Sequence, residues 1–349
     1  MTMLAERVEI VIGVDTHKHT HTAAVVTAAT GAAVEDLTVS TDPSGYQLLV
    51  DLADRHGQPR LWAIEGTGGY GAGLTRHLRS LDEEVIELDR PERPARRHGA
   101  KSDPLDAVRA AREALARPRL AQPRAEGTRS ALSVRLTARR SATGAATDAQ
   151  RQLNALVVAA PETLRSRFRG QRTSELVATA ARLRLNPQWD PETTSTAIVL
   201  RCLARRSQHL TAEADDHERA IRQLVVSWRP DLLEVFGVGP IVAATVLCAW
   251  SHPGRCHSEA AFAMLAGVAP IPASSGQTTR HRLNRSGDRQ LNRALHTITL
   301  NRLRYDDTTR AYAQRRRAEG KTDREIRRCL KRYIARQLFR QLESPLDQP

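Results

Sequence analysis

VEIVIGVD, residues 8–15, carries Val8, Ile10, Ile12 and Val14 in step on one face and closes on a carboxylate, Asp15. Period-two alternation of apolar side chains predicts a β-strand. Working outward, TAAVVTA at 22–28 and AVEDLTVS at 33–40 predict two more strands around a turn at Gly31, so the chain opens as a three-stranded meander. A helix over about 44–55 follows, then the strand RLWAIEG reaching Glu65, a helix over about 70–81 and the strand EVIEL. The next helix opens within AKSDPLDAVRAA, residues 100–111. The order β-β-β-α-β-α-β-α predicts an α/β domain with mixed strand directions over residues 1–125, unlike a doubly wound sheet.

In that helix opening, Asp103 and Asp106 lie three apart and share a helical face. Two explanations fit. Asp103 as N-cap, Pro104 at the first helical position and Asp106 against the macrodipole would make an ordinary helix start. Alternatively, the two carboxylates join others in a metal site. Asp15 and Glu65 both end predicted strands, and neighbouring elements of a mixed sheet would bring all four acids together. Four such charges without a cation would repel one another and raise each other's pKa. Oxygen-only ligands select Mg²⁺ or Mn²⁺, and a pair of such ions suits phosphodiester chemistry.

The charge balance agrees with a polyanionic partner. Lys and Arg number 53 against 39 acids, a net charge of +14, and only four of the cations are Lys. Guanidinium groups match phosphate bidentately, and nucleic acid is the default partner for such a chain. Cys202, Cys248, Cys256 and Cys329 form no CxxC pair, which disfavours a zinc ribbon or a disulfide framework. His17, His19 and His21 would share a face on a strand, but no further Cys or His completes a tetrahedral zinc set. No run of 18 apolar residues and no signal segment is found, so a soluble protein of the cytoplasm without membrane contact is expected.

From residue 129 the pattern turns helical. Val199, Leu203, Leu210, Ala214, His217, Ile221, Leu224 and Trp228 recur at coiled-coil spacing, and a stretch with Leu132, Leu136, Leu153, Leu156 and Val157 is a candidate antiparallel mate. This predicts a helical coiled-coil region over 126–228, with docking or oligomerisation to cover its faces. The remainder, 229–349, reads as a helical, basic C-terminal domain. Thr322 and Glu325 form a capping box, and Ile326, Leu330, Tyr333, Ile334 and Leu338 make the expected buried stripe. Residues 310–340 hold twelve Lys or Arg against three acids, a candidate nucleic-acid face. With aromatics at 4%, base stacking is not expected to dominate.

IGVDTHK, IEGTG and KSDPLDA resemble the three motifs of the DEDD transposases of the insertion-sequence one-ten family, whose N-terminal domain is RNase H or RuvC-like. The resemblance places Asp15, Glu65, Asp103 and Asp106 on that family's acidic tetrad and Lys18 on its motif lysine, where an ammonium would contact a phosphate or balance the carboxylates. GTGGYGAG at 66–73 lacks a P-loop lysine and reads as a permissive turn before a helix.

Gly237 and Gly239 in GVGP are expected between two apolar helices, as in hairpins whose turn amides hold a backbone phosphate; a tight structural turn explains them equally well. Downstream, two serines precede a glycine and are followed by Arg280, Arg282, Arg285, Arg289 and Arg293. Guanidinium groups around a serine hydroxyl would bind a scissile phosphate and support attack on phosphorus, although a loop of small polar residues is the plainer explanation. GVGP, LAGVAP, SSG and RSGDRQLNRAL are similar, in order and spacing, to the C-terminal domain of the same family. There the serine before glycine is the proposed nucleophile, which maps onto Ser275 with Ser274 as the fallback. The resemblance further implies donor and target DNA, an element-encoded guide RNA and a homo-oligomer, dimer or tetramer. Two alternatives stand beside this DNA transposase: a metal-dependent junction nuclease that uses water, and a non-catalytic nucleic-acid scaffold.

Overall fold

The computed structural model describes residues 3–88, 102–273 and 281–345. The chain divides into two compact units, Met1–Ala125 and Glu126–Pro349. The first holds β1 (Ile10–Thr16), β2 (Thr20–Thr27), β3 (Ala33–Ser40), α1 (Pro43–Asp54), β4 (Arg60–Glu65), α2 (Ala72–Ser80), β5 (Val85–Leu88) and α3 (Asp103–Ala116). Its strands form one sheet in the order β3-β2-β1-β4-β5, antiparallel from β3 to β1 and parallel from β1 to β5. This mixed sheet is RNase H-like, as the resemblance of the acidic motifs implies, and its first strand is the one that the alternation in 8–15 predicts.

Both faces of the sheet are covered. Ile10, Ile12, Val14, Trp62 and Ile64 pack with Leu49, Leu52, Leu74 and Leu78 of α1 and α2. Val11, Leu61 and Ala63 face the other way, onto Ala110, Ala111 and Ala114 of α3. The crossing of α3 over β1 depends on Gly13: a Cβ there would stand 2.0 Å from the Ala107 carbonyl oxygen and 2.6 Å from the Ala111 nitrogen. Only hydrogen fits, and the clash would be with helix backbone, which cannot rotate away. We expect Gly13→Ala to lower unfolding free energy by about 2–3 kcal/mol, the range of core overpacking, read as a fall in the urea midpoint.

The second unit contains α4 (Thr128–Ala159), α5 (Glu162–Arg165), α6 (Thr173–Ala181) and α7 (Pro191–Trp228). Pairings of Arg139 with Glu218 and of Gln150 with Ser207 run in opposite directions along the two long helices, which are therefore antiparallel. Their seam differs from the expected one. Val199 is 46% exposed, while Ala197, Leu200, Ala204 and Ser207 are buried with Ala214 and Ile221. Facing them is another stripe of small residues, Ala142, Ala146 and Ala149. Small side chains let the axes approach closely, and a search for large apolar residues misplaces such a seam.

At one end of this pair, Leu153, Leu164, Phe168, Leu176 and Leu200 close a core with α5 and α6. At the other, Leu132, Leu136, Ile221 and Val225 share a core with Trp250, Phe262, Leu295 and Leu338. Those last residues belong to α8 (Pro240–Trp250), α9 (Glu259–Leu265), α10 (Arg289–Tyr305) and α12 (Asp323–Glu343), with α11 (Asp307–Ala318) beside them. The capping box of Thr322 and Glu325 forms at the start of α12. Tyr333 is the exception to the expected stripe: it is 52% exposed, because its step of three from Leu330 carries it past the edge of the buried face. A short antiparallel pair, β6 (Ile271–Pro272) and β7 (His281–Arg282), interrupts the otherwise helical unit. Among the described residues no helix is long and apolar enough to cross a membrane.

Candidate functional site

Asp15 is the last residue but one of β1 and Glu65 the last of β4, adjacent parallel strands with Val14 paired to Ile64 just before them. Period two puts Asp15 on the face of Val11 and Gly13, and Glu65 on the face of Leu61 and Ala63; both are the α3 side of the sheet. Thr16 ties the two strand ends, its Oγ1 donating to the Glu65 carbonyl at 2.9 Å. From the crossing at Gly13 and Ala107, two strand residues advance about 6.8 Å to Asp15. Four helical residues back from Ala107 cover about 6 Å and reach Asp103. The two carboxylates therefore meet because the backbones touch one step away.

One oxygen each of Asp15 and Asp103 and one ring nitrogen of His17 lie within 4.8 Å of one another. His17 Nε2 stands 3.2 Å from Asp15 Oδ2 and 3.5 Å from Asp103 Oδ1. Asp15 is the least exposed member, at 14%. Burial pushes its carboxyl above the usual carboxylate value; His17 opposes the rise, while the charges of Asp103 and Asp106 add to it. Asp106 is thus near enough to be felt at Asp15, and it also pairs with Arg109 at 2.6 Å. The structure brings Asp15, Asp103 and Asp106 into one electrostatic neighbourhood and sets Glu65 on the same side of the sheet. Asp103 is not the N-cap. Ser102 takes that place and Asp103 is the first helical residue, so its carboxylate is turned to the strand end instead of the helix amides.

The histidines do not form a common face. The β1–β2 turn, closed by His17 N donating to the Thr20 carbonyl, breaks the alternation at 17–20. His21 is fully buried and stacks on Tyr46 at 5.8 Å, and burial holds its pKa down. His17 is the one sequence reasoning left without a role among the acids. A turn residue two positions past a strand-end carboxylate curls back over it, and that spacing was the available signal. Lys18 follows in the same turn and is exposed. Gly66–Gly71 makes the turn into α2, with Gly71 as its N-cap.

In the second unit, Gly237 has φ +86° and would press a Cβ to 3.3 Å from Ile298, so it serves the turn itself. Gly239 is the N-cap of α8 and faces open space. The element before them is a five-residue 3-10 helix, Pro230–Glu234, where an apolar helix was expected; Pro230 follows the end of α7 and prevents its continuation. Ser275, Ser274 and Arg280 lie outside the described residues. Their flanks are joined by the pairing of Pro272 with His281. Arg282, Arg285, Arg289 and Arg293 follow, all exposed and none in an ion pair among the described residues. Asp288 caps α10, accepting from Gln290 N and Leu291 N at 2.7 and 3.0 Å.

The base of this segment is held by groups that the sequence did not single out. At Gly287, φ +100°, a Cβ would sit 2.7 Å from Gly267 N and Leu265 O, so two glycine-bearing turns are in backbone contact. Asn292 Nδ2 donates to the Ala266 carbonyl at 2.8 Å, and Lys331 Nζ donates to Asn292 Oδ1 at 2.8 Å. Burial holds the Lys331 ammonium below its ordinary pKa.

Comparison with known proteins gives two family matches. Residues 12–160 match the profile of the IS110-type DEDD transposases, described as a transposase. Residues 230–314 match the family described as Transposase IS116/IS110/IS902. The four acids fall in the first segment, and the glycine turn, both serines and the arginines in the second. A relative, the insertion element IS900 uncharacterized 42 kDa protein of Mycobacterium paratuberculosis, is 31% identical over 161 residues, 44% of this chain and 40% of that protein. The match thus spans less than half the length of the relative.

Proposed function

This chain belongs to the IS110 family of transposases, and from that premise we propose that it cuts and exchanges DNA strands through a serine ester, with a divalent metal at its acidic cluster. The observation that carries the proposal is the meeting of Asp15, His17 and Asp103 within 4.8 Å at a strand end of an RNase H-like sheet. The donor set fits a hard cation. Asp15 is kept from ionising easily by burial and by two neighbouring carboxylates, a cost that positive charge relieves. Asp15, Glu65, Asp103 and Asp106 would hold Mg²⁺ or Mn²⁺, which when bound supplies Lewis-acid stabilisation of charge on phosphoryl and leaving oxygens.

The remaining steps belong to the chain's own residues. The exposed ammonium of Lys18 draws a phosphate toward the acids. Arg282, Arg285, Arg289 and Arg293 bind backbone phosphates beside the serine loop; Arg289 and Arg293 stand one helical turn apart on a single face. Ser275 Oγ forms a bond to the scissile phosphorus as the bond from phosphorus to one sugar oxygen breaks. The serine proton ends on the released sugar hydroxyl. The strand is retained as a phosphodiester to serine, so a second sugar hydroxyl reverses the step with a new partner and no external energy source. The acids lie in the first unit and the serine in the second, which suits a homo-oligomer whose protomers complete one another's sites. A surface rich in Arg and poor in aromatics suits backbone contacts, with sequence choice left to pairing with an element-encoded RNA.

The test is direct. Purified protein with donor and target DNA and Mg²⁺ should yield a protein–DNA adduct that survives denaturing electrophoresis and disappears with a chelator. RNA recovered with the protein from cells carrying the element should contain segments complementary to both DNAs. An adduct-free reaction that continues in chelator would reject the proposal.

A further inference from the structure

The atoms that converge at the acidic cluster are two oxygens and a nitrogen, one each from Asp15, Asp103 and His17. The family tetrad consists of carboxylates alone, and His17 lies outside it. Asp106, a member of that tetrad, pairs with Arg109 at 2.6 Å. The third donor beside Asp15 and Asp103 is thus an imidazole.

The β1–β2 turn fixes this ring. Thr16 Oγ1 donates to the Glu65 carbonyl at 2.9 Å, and His17 N donates to the Thr20 carbonyl at 3.0 Å. The chain is therefore tied to β4 just before His17 and to β2 at His17 itself. The side chain is 45% exposed, yet Nε2 is shut off from water, 3.2 Å from Asp15 Oδ2 and 3.5 Å from Asp103 Oδ1. Neither approach is a well-aligned hydrogen bond. A buried polar atom in that state calls for a partner, and a cation between the three groups is one. Two adjacent ligands of an octahedral ion with bonds of about 2.1 Å stand about 3 Å apart, each about 45° off the other's bond axis. Short but misaligned N···O separations are what a shared ion leaves, whereas a hydrogen bond from imidazole to carboxylate would be straight. The exposed remainder of the ring lets Nδ1 keep the proton in water, which frees Nε2 as a donor of electrons.

We propose that His17 Nε2 is a ligand to the cation held by Asp15 and Asp103, and that this nitrogen makes the site favour Mn²⁺ over Mg²⁺. The inference rests on the metal reading of the acidic cluster given above and deepens it by naming the ion and one further ligand atom. Mg²⁺ keeps to oxygen and is reluctant to exchange its water. Mn²⁺ shares the taste for carboxylates but also takes histidine, as the carboxylate-and-histidine sites of di-manganese proteins do.

The test uses the full chain, freed of nucleic acid, with Mn²⁺ as the probe and electron paramagnetic resonance as the readout. Pulsed spectra at one equivalent of Mn²⁺ should show a directly bound nitrogen nucleus in the parent and none in His17→Ala or His17→Gln. The Mn²⁺ dissociation constant should rise by at least about 10-fold in His17→Ala, a loss that even outer partners of a metal site produce. Mg²⁺ affinity, read from the melting midpoint against Mg²⁺ concentration, should stay within about threefold, because water replaces the nitrogen. Mn²⁺ bound by the parent without a nitrogen signal, or a nitrogen signal that survives His17→Ala, would overturn the His17 assignment and leave the acidic metal site standing. Equal losses of Mn²⁺ and Mg²⁺ affinity would overturn the preference. Failure of the parent to bind either ion would overturn this inference together with the metal reading beneath it.

Discussion

Ser275→Ala is expected to abolish the covalent adduct and strand exchange while DNA binding stays within about twofold. The size of the loss follows from what the hydroxyl does. A nucleophile removed from a serine enzyme leaves only binding and electrostatics behind, and the rate falls by at least about 10⁴-fold. Binding should be spared, because the phosphate contacts are proposed to come from Arg282, Arg285, Arg289 and Arg293, which are exposed. Ser274→Ala is the control: it deletes the neighbouring hydroxyl in the sequence, and it should keep the adduct. The assay is a denaturing gel of radiolabelled donor DNA incubated with protein and Mg²⁺. Strand cutting that persists without an adduct in Ser275→Ala would identify a nuclease that uses water. Loss of the adduct in Ser274→Ala alone would move the nucleophile one residue back.

The first unit was legible because each of its elements is announced locally. Alternation in VEIVIGVD gives the strand and its buried faces together, and acids at the ends of VEIVIGVD and RLWAIEG become neighbours as soon as the two strands pair. What the alternation does not disclose is the depth of contact. That Asp103 reaches Asp15 depends on Gly13 admitting the α3 backbone, and no local pattern marks which glycine a distant helix will cross. The second unit was less legible for a related reason. Ala142, Ala146 and Ala149 carry the helix seam by being small, whereas apolar periodicity gives most weight to large side chains such as Val199. His17, Asn292 and Lys331 act through contacts between segments far apart in sequence or across a turn, so their roles emerged only with the fold.

Asp15→Asn should eliminate strand transfer and at the same time make the metal-free protein melt higher. The two effects have one origin. Burial, Asp103 and Asp106 raise the Asp15 pKa above its unfolded value of 3.8. A carboxyl with a raised folded pKa contributes stability that is present below the unfolded value and lost as pH rises through the folded one. At neutral pH without metal the ionised Asp15 is therefore a strained charge, only partly offset by His17 at 3.2 Å. Asparagine removes that charge, and a rise of roughly 2–4 °C in the melting midpoint in chelator is expected. The gain should shrink as the pH is lowered and the parent carboxyl protonates. If Asp15 is a metal ligand as proposed, addition of Mg²⁺ or Mn²⁺ should raise the melting midpoint of the parent and not of the variant. Strand transfer should fall by about 10³-fold or more, the scale of several kcal/mol of metal stabilisation in the transition state. A variant that melts lower in chelator and still responds to Mg²⁺ as the parent does would place the cation elsewhere, and with it the chemistry.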